Sequence, residues 1–75
     1  MKELVVYCPD NRMIVIRGLQ EIWIDRHWST KWALRFEDVN RYSELITTSR
    51  SKEDLKEALT KISEAYAKGN PSVHI

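Results

Sequence analysis

The spacing of apolar residues changes near Ser51, and this change constrains the fold more than any other feature of the chain. Before it, apolar residues come in short runs rich in β-branched and aromatic side chains, which is typical of strands. After it, they recur at helical spacing, at Leu55, Ala58, Leu59, Ile62, Ala65 and Tyr66. Strands followed by one helix predict an α+β fold, in which an antiparallel sheet of four to five strands (a β-meander) packs on one C-terminal α-helix.

The length of the chain, 75 residues, favours a single domain over residues 1–75. We expect strands over about 3–48, the helix over about 52–68 and a short tail over 70–75. A content of 43% hydrophobic and 31% charged residues is that of a globular protein. A chain of this size buries only about 60% of its unfolded surface, which makes self-association a reasonable supplement to its core.

The segment 4–16 gives the clearest hairpin signal. Leu4–Cys8 reads as a strand, the Pro9-Asp10-Asn11 sequence fits a turn, and Met13–Ile16 returns as a second strand. Two points stay open. The chain at Gly18 either turns into a third strand or bulges within one long bent strand, and the last four residues either fray or add an edge strand.

Strict alternation marks the next two strands. In 20–25, Ile22 and Ile24 point one way and Trp23 the other; in 31–37, Trp32, Leu34 and Phe36 share the core side. We therefore expect Trp23 on the sheet face away from the helix, joined there by Val5, Tyr7 and Ala33, with Arg35 nearby. In the last strand, Leu45 and Ile46 compete for the core.

The helix has start and stop signals. Ser51 is a suitable N-cap, and Asp54 at the third helical position gives a weak version of the capping box. Gly69 followed by Asn70-Pro71 ends the helix. These signals predict its two ends independently of the apolar stripe.

No catalytic or metal-binding pattern emerges. Asp25, His27 and Ser29 occupy alternate positions of one short segment, whereas triad members come from separate elements. Histidine and cysteine lack metal-ligand spacing, and Cys8 reads as a small buried hydrophobe. We expect a protein that is not an enzyme, with no cofactor, no catalytic residue and no metal site.

The segment 26–32 interleaves charged with aromatic residues, and tryptophan and arginine are the types most enriched at interface hot spots. Together with the open sheet face, it predicts binding by Trp23, Arg26, Trp28 and Arg35, with Lys31 at the rim. The tryptophans serve as anchors and the arginines set orientation. The alternative is structural: Trp32 fills the core and Trp28 folds back over its edge.

The net charge bears on the kind of partner, and the cysteine count and the apolar pattern bear on the location. A net charge of +1 favours a protein partner or self-association, including a homodimer, over nucleic acid. The alternative function is a single-stranded nucleic-acid-binding module that uses sheet aromatics and arginines. One cysteine, no signal-peptide pattern and no long apolar stretch lead us to expect a cytoplasmic protein without membrane contact.

Several motifs over residues 12–68 carry a resemblance: a hairpin, the Ile-Trp-Ile-Asp strand at 22–25, Ser-x-Glu-Asp at 51–54, Ala58-Leu59, and Ile-x-x-Ala-Tyr at 62–66. In this order they resemble a group of small uncharacterised proteins of Gram-positive bacteria and their phages, which carry a β-meander followed by one amphipathic helix. The resemblance implies a small accessory protein that acts by binding, and a phage origin is compatible with it. It carries over no catalytic or ligand residue.

Overall fold

The computed structural model describes residues 2–75 and confirms the α+β class. Its elements, in chain order, are β1 (Glu3–Tyr7), β2 (Met13–Arg17), β3 (Leu19–Trp28), β4 (Lys31–Asp38), β5 (Ser43–Ser49), α1 (Lys52–Lys68) and β6 (Ser72–His74).

The strands divide into two three-stranded sheets. Sheet 1 has the order β2-β1-β6 and sheet 2 the order β3-β4-β5. Gly18, with φ 74°, separates β2 from β3 at the break between the sheets. Its N–H donates to the Lys2 carbonyl at 2.9 Å and its carbonyl accepts from the Val39 N–H at 2.8 Å. Of the two alternatives at Gly18, the structure therefore shows a new strand, in a second sheet.

The last residues form an ordered edge strand. β6 pairs in parallel with β1, with Val73 opposite Val6. The rings of Tyr7 and His74 stack with centroids 4.6 Å apart. Parallel pairing needs a long connection, and here the rest of the chain, including α1, supplies it.

One core joins both sheets and the helix. α1 contacts strands of each sheet. The buried apolar side chains come from β1 and β2 (Leu4, Val6, Ile14, Ile16), from β4 and β5 (Leu34, Phe36, Ile46) and from α1 (Leu55, Ala58, Ile62, Ala65). The helix thus covers the face of sheet 2 that holds Leu34 and Phe36, and no other element within residues 2–75 makes comparably extensive contact with this sheet.

The helix begins and ends where the sequence predicts. The Ser51 hydroxyl accepts from the Asp54 N–H at 3.3 Å. At the other end Gly69 is left-handed, its N–H donates to the Tyr66 carbonyl, and the Asn70 N–H donates to the Ala65 carbonyl. This pair of bonds is a Schellman motif. Within residues 2–75, no helix has the length and apolar character needed to cross a membrane.

A bulge in β5 resolves the competition between Leu45 and Ile46. Leu34 pairs with Thr47 and Arg35 with Leu45, so Ile46 is the extra residue, and its side chain is completely buried. The freed Ile46 carbonyl accepts hydrogen bonds from the Arg12 guanidinium and, at 3.6 Å, from the Cys8 thiol. The bulge thereby ties the β1–β2 turn to sheet 2.

Candidate binding surface

The face of sheet 2 turned away from α1 carries aromatic and charged side chains. Strand alternation and the registers of β3–β4 and β4–β5 place the following residues on it, and we call them the open face: Glu21, Trp23, Asp25 and Trp28 from β3, Lys31, Ala33, Arg35 and Glu37 from β4, and Ser43, Leu45 and Thr48 from β5. The opposite face holds Leu34 and Phe36, which belong to the core.

Trp28 reaches the open face because of a second bulge. Simple alternation from Trp23 would turn it toward the helix. The register shifts between Arg26 and Trp28, so that Arg26 pairs with Trp32 whereas Trp28 pairs with Lys31. Paired residues share a face, which places Trp28 beside Lys31. Its side chain is 67% exposed, so it does not fold back over the core.

The centre of the open face is organised by Asp25. Its carboxylate accepts from the Trp23 indole N–H at 3.1 Å and from Arg35 Nε at 3.3 Å. Trp23 lies opposite Arg35, and Asp25 lies opposite Ala33, which is completely buried although it faces outward. The larger side chains around Ala33 therefore cover it and are held in fixed orientations.

Sequence reasoning assigned Asp25 no part in binding. The available signal was its position two residues after Trp23, on the same strand face. Its second partner, Arg35, depends on the β3–β4 register, which alternation alone does not supply.

Arg26 does not join the other predicted binding residues. Its guanidinium carbon lies 4.6 Å from the centroid of the Trp32 ring, on the helix-facing side of the sheet. Lys52 Nζ lies 4.7 Å from the same centroid. Trp32 is half-buried against the core. The structure thus brings Trp23, Trp28, Lys31 and Arg35 together and places Arg26 on the other side.

The open face is electrostatically uneven along its length. At one end Glu21 lies directly opposite Glu37, and like charges in that position repel. At the other end Lys31 pairs with Trp28. Among the ion pairs of residues 2–75, none involves Glu21, Lys31 or Glu37. One end is therefore acidic, the other basic, and the middle is neutralised by the Asp25–Arg35 pair.

Val5 and Tyr7 are not next to Trp23, contrary to the sequence interpretation. They lie on the outer side of sheet 1, where Val5 pairs with Val15 and Tyr7 with Met13. Met13 is 59% exposed, so this is a separate apolar surface. The physical reason is the break at Gly18, which puts β1 and β3 in different sheets.

The structure assembles no catalytic triad from Asp25, His27 and Ser29. Asp25 is bound to Trp23 and Arg35, and His27 packs edge-on against Trp28 with centroids 5.5 Å apart. Burial raises the pKa of the Cys8 thiol, which keeps it protonated and unreactive. No group of three or more potential metal ligands occurs in residues 2–75.

Comparisons of this chain with protein-family models, with curated proteins and with solved structures found no match.

Proposed function

We propose that this chain is a non-enzymatic binding protein that contacts another protein chain through its open face. The observation that carries the proposal is the placement of Trp28, 67% exposed, on the same face as Trp23 and Arg35. The hydrophobic effect favours burial of this indole in the core, but the bulge between Arg26 and Trp28 turns it outward. Tryptophan and arginine are the residue types most enriched at interface hot spots.

The fixed geometry of the face favours binding further. Asp25 holds both Trp23 and Arg35 by hydrogen bonds, so these side chains have already lost much of their rotamer freedom. Ordering a mobile side chain at an interface costs about 0.5–1.5 kcal/mol, and a preorganised face avoids part of that cost. Lys31 lies at the rim, where charge affects the association rate and partner choice.

Site-specific photo-crosslinking tests the proposal. A photoreactive amino acid replaces Trp28, and a matched control carries it at Glu64 on the exposed side of α1. In cells that make the protein, we expect protein adducts from position 28 that are missing from position 64 and that disappear with Arg35→Glu. Identical adducts from both positions, or none from position 28, would refute the proposal.

A second candidate function is single-stranded nucleic-acid binding. One observation favours it: four exposed cations lie at the end of sheet 2 where β4 begins and β3 and β5 end, and none belongs to an ion pair of residues 2–75 (Arg26, Lys31, Arg50 and Lys52). The exposed Trp28 indole offers base stacking, and Lys31 beside it offers a phosphate contact.

Two observations count against nucleic acid. The overall charge is only +1, so the rest of the chain is net negative, and Arg26 and Lys52 already lie over the Trp32 ring. Fluorescence anisotropy with a labelled oligonucleotide decides the question. Binding that weakens steeply with salt would support this candidate, and the lack of any signal at low salt would eliminate it.

A further inference from the structure

We propose that the partner of the open face is a second copy of this chain, packed face to face about a two-fold axis that runs between the two sheets and across their strands. This inference rests on the proposed function, because it assigns an occupant to the same surface. It adds the identity of the partner and the relative orientation of the two copies.

Charge complementarity along the face selects this arrangement. Lys31 and Glu37 lie at the basic and acidic ends of β4, about 20 Å apart at ~3.3 Å per residue. A two-fold axis across the strands reverses their direction, so that the acidic end of each copy faces the basic end of the other. Each copy's repelling Glu21–Glu37 pair then gains a cation, and each unpaired Lys31 gains an anion.

The middle of the face suits burial against an identical surface. Near the axis lie Trp23 and the completely buried Ala33, together with Asp25 and Arg35, which neutralise each other within one copy. No unpaired charge is therefore buried there. Trp28, at the basic end, covers the acidic end of the partner. A two-fold interface uses each such contact twice.

The size of the face predicts a weak dimer. Three strands at ~4.8 Å spacing make it about 14 Å wide, and its length is about 20 Å. That footprint is smaller than the standard interface of about 800 Å² per partner. We expect a dissociation constant on the order of 10⁻⁴ M, which salt raises by screening the end contacts.

Sedimentation equilibrium on the purified chain, with charge-reversed variants, tests the arrangement. Lys31→Glu places like charges at both ends of the dimer, and we expect it to weaken the dimer at least tenfold. Glu37→Lys removes the anion that faces Lys31 and adds a cation that Glu21 neutralises within its own copy, so we expect a smaller weakening. An equimolar mixture of the two variants restores opposite charges at both ends, so the mixture should dimerise as the parent chain does. Circular dichroism verifies that each variant is folded.

Matched controls are Lys61→Glu and Glu64→Lys, which make the same charge changes on the exposed side of α1 and should leave dimerisation unchanged. A parent chain that stays monomeric at millimolar concentration overturns the inference. A dimer whose dissociation constant is unchanged by both charge reversals also overturns the inference, and it would indicate an interface on the outer side of sheet 1.

The two proposals fail in distinguishable ways. Crosslinks from position 28 to a different protein, with a monomeric parent chain, refute the second copy and retain a protein-binding face. Charge-dependent dimerisation restored in the mixture supports both. A monomeric chain without position-specific crosslinks refutes both.

Discussion

Gly18 and Gly69 have the same backbone dihedral but different surroundings, so replacing each with alanine separates two physical effects. Both have φ 74°. A Cβ on Gly69 would meet nothing within 4 Å, whereas a Cβ on Gly18 would lie 2.9 and 3.0 Å from the two methyl groups of Val39. We expect Gly18→Ala to destabilise the fold more than Gly69→Ala.

The expected magnitudes follow from these contacts. The left-handed conformation costs a residue with a Cβ about 1–2 kcal/mol, and this is the whole loss for Gly69→Ala. At Gly18 the Val39 side chain must also move away from the new Cβ, and a χ1 displaced by about 30° costs about 0.5–1.5 kcal/mol. The 2.8 Å hydrogen bond from the Val39 N–H to the Gly18 carbonyl hinders a backbone shift that would relieve the contact. The total for Gly18→Ala is about 1.5–3.5 kcal/mol.

Urea unfolding followed by tryptophan fluorescence at low micromolar protein measures these losses. Repeating Gly18→Ala in a Val39→Ala background removes the close methyl groups, so the loss should fall to that of Gly69→Ala. Equal losses at both glycines, or a Gly18 loss that Val39→Ala does not reduce, would refute the reasoning.

Two further predictions concern side chains at the β1–β2 turn. Because Cys8 is buried and burial also raises the pKa of its thiol, we expect a thiol reagent to label the native chain much more slowly than the urea-unfolded chain; equal rates would contradict the burial. Hydrogen bonding from Arg12 lowers the pKa of the Asp10 carboxyl, so this pair stabilises the fold above the unfolded pKa of 3.8 and stops doing so as pH falls through the lower, folded pKa. An NMR titration should show the Asp10 pKa rising in Arg12→Ala, and an unchanged value would exclude the pairing.

Local signals were sufficient for the helix and for most strands. The N-cap at Ser51, the stop at Gly69 and the apolar stripe between them all lie within one segment, so the predicted range 52–68 agrees with α1. The β1–β2 hairpin follows equally from its turn residues. In these segments the sequence-near interactions and the tertiary packing favour the same structure.

The features that sequence reasoning missed depend on contacts between distant residues or on strand register. The bulge between Arg26 and Trp28 puts Trp28 on the opposite face of the sheet. The alternation of residues 20–25 does not indicate where that alternation ends. An edge strand over the last residues is one of the two alternatives that the sequence leaves open, and its partner β1 lies at the other end of the described chain. Placing Val5 beside Trp23 assumed one continuous sheet, whereas Gly18 starts a second one. Four predicted binding residues therefore share a face, and Arg26 does not.

The central claim is that the indoles of the open face are not needed to fill the core. The free energy of unfolding of Trp23→Ala/Trp28→Ala, measured at low micromolar concentration where the chain is monomeric, tests it most directly. We expect a loss below about 2 kcal/mol, since Trp28 is exposed and Trp23 half-buried, together with loss of dimerisation at high concentration. Each fully buried large side chain is worth about 3–5 kcal/mol, so a loss in that range or above would show that these tryptophans stabilise the fold instead.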